Sequence, residues 1–527
     1  MPPTQTRSRS ALLPLCLAGG LLVRLVPACL TFLNPDEVLH YLLSHQASLA
    51  ATYKATLTTA HPPLLILLLH YWQMLGHSET MLRFPFLVAG TTFAWVMYLW
   101  LRRVADHSTA LTGLVLLLFS PALISVSSEV RQYAALLFFA AGSLYFLDRT
   151  IEENSTPMML LSACALYLAL LIHYSSLIFA LTLGIYALVR FGTAKMGGGV
   201  IAVWCTGQMG ALAICGFLYQ SHLAKLQHSA LRQEIADTWL RASIYHAGQD
   251  HPVAFVLTRT VRLFRYFFSN GTIGVLALLV FIGGVAHLLL DRGPRTDDRK
   301  PTPRHLALLL TLPFVITAGI ALAGIYPYGG TRHDVLLATF ALPGVALGLT
   351  RITPYRHLST EWQRLTILGI ALTIGNLHPV LTPPFIKPQN QNRQLMTQAM
   401  STLRREVSPG SILLTDYEGG LMLSYYLCPD RVVEIETTRA FLHSSCGDYR
   451  AIASSPDLWA YDAQTLPAAL REAQLESASC GKIPTWLFQA GWIDDQQVEW
   501  MGEVAQLGGR SPHPFGQDIF LCRIEQK

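Results

Sequence analysis

LLPLCLAGGLLVRLVPACLTFLNPDEVLHY, residues 12–41, decides the class of this chain. From Leu12 to Leu33 it carries a single charged residue, Arg24. That run is long enough to cross an apolar layer of about 30 Å as a helix of roughly 20 residues. Asn34 and Pro35 then end it, and two adjacent carboxylates, Asp36 and Glu37, stand where a membrane helix leaves the bilayer. Comparable runs recur through the 527 residues, which are 52% hydrophobic and 13% charged, against about 25% charged in soluble domains. They lack strand alternation, and backbone groups in lipid must be satisfied internally, so the spans are read as helices. An all-α polytopic membrane protein is expected, and a soluble globular enzyme is excluded.

Candidate spans lie near 11–33, 81–101, 108–126, 131–148, 157–173, 175–191, 198–219, 268–290, 305–325, 335–350 and 365–382, eleven in all. Arg7 and Arg9 precede the first, which puts the N-terminus in the cytoplasm by the positive-inside rule. Alternation then leaves Arg102–Arg103, Asp148–Arg149, Arg190, Lys195, the five basic residues of loop 292–304, Arg351, Arg356 and Arg364 inside. The first run is read as a retained anchor rather than a cleaved signal. HPPLLILLLHYWQML, 61–75, is short and rich in His and Trp for a crossing, and reads as a helix on or dipping into the outer face.

This order gathers polar groups on one side: Asp36, Glu37, His40, His61, Glu129, Arg131, His173, Arg332, His333 and Asp334. The loop from about 220 to 267 joins them with Arg241, His246, His251, Arg259, Arg262 and Arg265. Cations on the outer face either reflect the weakness of the rule in a long loop or serve an anionic ligand.

After Pro383–Pro384 the composition changes. Residues 383–527 hold 12 Lys+Arg and 17 Asp+Glu, a balance of −5, while the remainder is +10 (26 minus 16). SILLTDYEGGLMLSYYL reads as strand, turn and helix, and RVVEI, TWLFQ and DIFLCRI as further strands. An α/β domain outside the membrane is expected over 383–527, beside a membrane domain over 1–382. Four of the nine cysteines (Cys428, Cys446, Cys480, Cys522) fall in it, which allows one or two disulfides of unreadable pairing. The sequence shows no P-loop, dinucleotide fingerprint, metal-ligand cluster or internal repeat.

NPDEVLHY, followed by HPPLLILLLHYWQMLGHSETMLRFPFLVAG, resembles the GT-C membrane glycosyltransferases: protein O-mannosyltransferases, aminoarabinose transferases and bacterial lipopolysaccharide-core transferases. SPALISVSSEVRQYAALLFFAAGSLYFLDR and YGGTRHDVLLATFALP are similar to later segments of the bacterial members. The resemblance covers roughly residues 11–350. It implies an enzyme that passes a sugar from a polyprenyl-phosphate donor to a glycan, lipid or protein acceptor, usually with inversion. It further implies a bacterial inner membrane, with site and C-terminal domain on the periplasmic side, and no nucleic-acid partner.

By matching position to position, the resemblance implies that Asp36 is the general base or acceptor-orienting carboxylate. Glu37 is the second acid, and the two cannot face one point from adjacent positions. The bland reading of the pair is a helix start with Asp36 near an N-cap. His61, Arg83, Arg131 and Arg332 are the candidate contacts to donor phosphate, a role that suits guanidinium groups. His40, Tyr41 and Glu129 are candidates for sugar or acceptor. Against these stand a polar helix start at His61, a snorkelling arginine at Arg83 and a rim ion pair for Glu129 and Arg131. His333 and Asp334 read as loop or capping residues, and Arg24 as a side chain reaching the outer interface. No cofactor is required by the sequence, since no Asp-x-Asp motif occurs, although a divalent cation is compatible with it. Acids and arginines must converge on one hollow at the outer leaflet for this reading to work. The rival reading is a transporter or lipid flippase, which would place its ionisable residues near the midplane.

Overall fold

The computed structural model describes residues 4–59, 61–224, 240–291, 298–353, 355, 358, 361–377, 391–428, 441–455, 465–480, 483–491, 513–516 and 519–524 (backbone only at 4–11, 361–362, 373–377, 465–466, 476–480 and 513). The helices are α1 (Thr4–Leu30), α2 (Pro35–Ser44), α3 (Leu49–Thr56), α4 (Leu64–Trp72), α5 (Glu79–Val104), α6 (His107–Phe119), α7 (Pro121–Ser127), α8 (Tyr133–Glu153), α9 (Thr156–Ile172), α10 (Ser176–Phe191) and α11 (Gly198–Leu218). They continue with α12 (Pro252–Phe268), α13 (Gly271–Leu290), α14 (Pro303–Leu322), α15 (Ala338–Ile352), α16 (Glu361–Leu377), α17 (Arg393–Glu406), α18 (Tyr417–Tyr426) and α19 (Thr465–Cys480).

The chain forms two compact units. The first comprises Met1–Val26, Ala60–Leu65 and Arg83–Thr382; the second comprises Pro27–Thr59, Ile66–Leu82 and Pro383–Lys527. Among the described residues, seven helices are long and apolar enough to cross a membrane, and the bent pair α6–α7 makes an eighth. Shorter apolar helices occur at Leu64–Leu75, in α9 and α10, and within α16 at Gln363–Leu372, and each of the eleven expected runs coincides with helix, α6 and α7 sharing one. Their outward surfaces carry Leu160, Leu181, Leu212, Leu279 and Ile282, as apolar solvent requires.

The 58° bend between α6 and α7 has a local cause. Pro121 has no N–H to offer the Leu117 carbonyl, so the ladder breaks there. Arg24 fills the gap: its guanidinium donates to the carbonyls of Gly20 (2.9 Å), Leu118 (2.6 Å) and Leu117 (3.2 Å). Its main-chain oxygen accepts from Ser128 Oγ at 2.9 Å. Arg24 is fully buried, which corrects the expectation that it reaches the outer interface. The carbonyls left orphaned at a helix end are worth more to a guanidinium than headgroup water is.

The second unit is larger than the C-terminal segment 383–527, because the stretch after α1 is hydrogen-bonded into it. The Phe32 N–H donates to the Gln391 carbonyl at 2.9 Å, and Thr31 and Asn392 form an isolated bridge. Its sheet is built from β1 (Ile412–Thr415), β2 (Phe441–Cys446), β3 (Tyr449–Ser454), β4 (Thr485–Ala490), β5 (His513–Pro514) and β6 (Ile519–Ile524), in the order β2-β3-β1-β4-β6-β5. β3, β1 and β4 are parallel, with Leu413 opposite Ala451 and Trp486. β2 and β6 flank them antiparallel. ILLT is buried throughout, as a strand covered on both faces must be. Ile412, Leu414, Ile452, Leu487 and Cys522 pack with Ala469 and Ala473 of α19. RVVEI lies outside the described residues. Cys428 and Cys446 form a disulfide with Cα atoms 5.4 Å apart, and Cys522 is a free, buried thiol. The side chain of Cys480 lies outside the described residues.

Candidate active site

In the second unit, the acids sit on the first turn of α2. Asn34 is the N-cap and Pro35 the first helical residue, a position where a missing N–H costs nothing. The Asn34 side chain accepts the Glu37 N–H at 3.0 Å, and the Glu37 carboxylate accepts the Asn34 N–H at 3.0 Å. This reciprocal pair is a capping box. Glu37 is therefore wholly buried as a cap, whereas Asp36, beside it, keeps 9% of its surface open. The cap is Asn34, not Asp36. His40 donates from Nδ1 to the Asp36 carbonyl at 2.6 Å. Tyr41 stacks on His45 (centroids 5.1 Å apart) and meets His77 and Tyr425 edge-on at 5.9 and 5.1 Å.

In the first unit a second group forms where the segment before α4, the α7–α8 junction, the α9–α10 turn and the start of residues 332–337 meet. The imidazole of His61 stacks on His173 with centroids 6.0 Å apart, and Gln132 Nε2 lies 3.2 Å from His61 Nδ1. Tyr133 packs on His173 at 5.3 Å and meets His333 edge-on at 6.3 Å, with the Arg131 guanidinium 5.9 Å over its ring. Glu129 and Arg131 are both buried, and Ser125 Oγ lies 3.4 Å from the Glu129 carboxylate. Tyr266 of α12 feels the charges of Glu129, Arg332 and Asp334, and its hydroxyl, mainly through burial, is held well above the ordinary phenol range.

His173 takes the Ser175 N–H on Nδ1 at 3.1 Å, which leaves the proton on Nε2. Burial, and then the charge of Arg131, depress its pKa from 6.5 to about 3. The ring is thus neutral at any physiological pH. The cations of the group are its arginines.

Arg332 follows YPYGGT. Gly329 and Gly330 have φ of 117° and 90°, and side chains there would strike Arg259 and the Arg262 carbonyl of α12. Only glycine allows that approach. Asp334 pins the loop by accepting the Gly329 N–H at 3.0 Å and forming a capping box with Thr331. Tyr328 donates its N–H to the Ser243 carbonyl at 2.8 Å and shares a 2.7 Å contact with Thr260 Oγ1. His333 offers its carbonyl to Tyr326 Oη at 2.8 Å. Asp334 is accordingly a loop clamp.

His61, Glu129, Arg131 and Arg332 are thus gathered in the first unit. Asp36, Glu37, His40 and Tyr41 share one helix of the second. Arg83 is fully buried in the second turn of α5. Residue matching passed over Tyr133, Gln132, His173 and the α12 arginines as site members. The signal for α12 was present: Arg259, Arg262 and Arg265 recur at helical spacing beside apolar Val253 and Leu257, both more than half exposed.

Residues 60–216 match the protein-family description dolichyl-phosphate-mannose-protein mannosyltransferase. No curated protein sequence matches the chain. The whole chain is similar in structure to ArnT from Cupriavidus metallidurans in the apo state, with TM-score 0.57 and 12% identity over 98% of both chains. It is similar also to the same protein bound to undecaprenyl phosphate, with TM-score 0.57, 13% identity, 97% of this chain and 98% of that one. The resemblance read from the sequence and these likenesses agree, and the chain carries the GT-C fold of the polytopic membrane glycosyltransferases.

Proposed function

We propose that this protein transfers a sugar from a polyprenyl-phosphate donor to an acceptor hydroxyl or amine at the extracytoplasmic face of a bacterial cytoplasmic membrane. One observation carries the reading: arginines, histidines and tyrosines are gathered, largely buried, at the ends of the spans of a GT-C fold. Buried cations of this kind suit an anion delivered at the bilayer edge. Arg131 and Arg332, with His61 and Arg83, hold the donor phosphate, and Arg259 and Arg262 extend the positive lining. Asp36 takes the proton of the acceptor hydroxyl or amine. The acceptor oxygen or nitrogen then bonds to the anomeric carbon from the face opposite the leaving group. The bond from that carbon to the phosphate oxygen breaks, and its electron pair leaves with polyprenyl phosphate. The arginines stabilise the charge that grows there. Glu129, His40 and Tyr41 border the sugar or acceptor. The scheme requires no cofactor and is compatible with a divalent cation, and the rate with and without a chelator decides between the two.

The test is release of free polyprenyl phosphate by purified protein from a panel of labelled polyprenyl-phosphate sugars. Release with at least one donor is expected, together with loss of about 10²–10⁴-fold in Asp36→Asn, the usual reach of a general base. No release from any donor would remove the enzyme reading and leave the transport alternative. Accessibility labelling of a cysteine placed at Ser48 reads the orientation, and labelling only from the cytoplasmic side would overturn it.

A further inference from the structure

In an open parallel sheet, ligands settle beyond the carboxyl ends of the strands, where the strand order reverses. In the second unit that point lies between β1 and β4, since β3 is on one side of β1 and the crossover through α19 returns on the other. Asp416 follows β1 and caps α18, accepting the Gly419 N–H at 2.8 Å, and Gln489 Nε2 of β4 donates to it at 2.6 Å. Gly491 follows β4 with φ 150°. A Cβ at Gly491 would fall 2.2 Å from a Glu418 carboxylate oxygen and 3.0 Å from Pro35 Cγ. The crevice therefore holds the chain's own Pro35, the residue immediately before Asp36.

The rest of the loop is tied to the same domain. The Leu33 N–H donates to Tyr426 Oη at 2.8 Å, and that hydroxyl donates in turn to Glu79. Glu79 is buried and also pairs with Arg393 Nε at 2.6 Å. Tyr425 Oη donates to the His77 carbonyl at 2.6 Å. One hydroxyl thus joins three stretches distant in sequence: the approach to α2, the start of α5 and the end of α18.

We infer that the C-terminal domain positions the acid-bearing turn for the reaction, with Tyr426 and Glu79 as its positioning residues and Gly491 as the seat for Pro35. The inference rests on the assignment of Asp36 as the base. A carboxylate acts as a base only within hydrogen-bond reach of its proton, and a small misplacement of a reacting group lowers the rate steeply. Tyr426 therefore acts on turnover through Asp36 and leaves the donor's binding groups untouched.

Tyr426→Phe keeps the ring and removes the bridge. Amide exchange of residues 31–37 is expected to rise about tenfold, the equivalent of one buried hydrogen bond, with exchange in the spans unchanged. The rate of polyprenyl phosphate release should fall at least tenfold, with KM for the donor within about twofold of wild type. Glu79→Gln, which keeps an acceptor and removes the charge facing Arg393, serves as a second variant and should show a smaller shift of the same kind. Unchanged exchange at 31–37 overturns the inference whatever the activity, and so does raised exchange with an unchanged rate. Wild-type protein that protects 31–37 yet releases nothing from any donor refutes the catalytic assignment. The exchange measurement still decides whether the latch exists.

Discussion

His173 gives the sharpest quantitative test of the first-unit cluster. The ring is buried against Tyr133 and His61, lies near Arg131, and has a pKa of about 3 rather than 6.5. A group that the unfolded chain protonates more readily than the folded one costs nothing above its unfolded pKa and takes stability away as pH falls below it. For His173 the window therefore runs downward from pH 6.5 toward 3. At pH 7.5 both states are neutral and the contribution is close to zero. At pH 5 the unfolded imidazole is protonated 1.5 pH units below its pKa, while the folded one is still neutral, which costs about 2 kcal/mol. His173→Asn keeps an acceptor for the Ser175 N–H and cannot take the proton. Thermal midpoints in detergent at pH 7.5 and 5.0 should therefore fall more in wild type than in the variant, by the equivalent of about 2 kcal/mol. Carboxylates and the other histidines titrate in both proteins and cancel in the comparison. Equal acid sensitivity in the two would refute the picture of a neutral ring held between an arginine and two aromatic faces.

Three further outcomes follow from the geometry. Arg24→Met leaves the Leu117 and Leu118 carbonyls without their donor at the α6–α7 break, and should cost about 3 kcal/mol or more; a thermal midpoint equal to wild type would show that the bend holds itself. Reduction of Cys428–Cys446, which closes a sequence separation of 18, should weaken the second unit by about 3 kcal/mol, read as faster proteolysis within it, while the spans stay protected. Glu37→Ala removes one arm of the capping box at a cost of about 1 kcal/mol and should lower transfer far less than Asp36→Asn; equal losses would contradict the division of labour between the two acids.

The resemblance assigned unequal roles to the two acids, but which residues build the helix start could not be read from NPDEVLHY. Pro35 takes the first helical place, Asn34 becomes the cap, and the third position, the other arm of the capping box, falls to Glu37. Arg24 shows the same limit, since an arginine within an apolar run says only that a partner is needed, and the partner is a carbonyl 94 residues away.

The sequence by itself determined that this chain spans a membrane as helices and where its runs lie, because hydrocarbon imposes a length and a polarity that composition records directly. It determined too that β1, β4 and β6 would be strands, since apolar runs of that length with turns beside them have few other homes. Only the tertiary structure decided which side chains keep company. The stacking of His61 on His173, the neutral state of that ring, and the inclusion of residues 27–59 and 66–82 in the C-terminal unit all depend on contacts between segments far apart in the chain. Local propensity carries no information about such contacts, because their energy comes from desolvation and pairing that exist only after the segments have met.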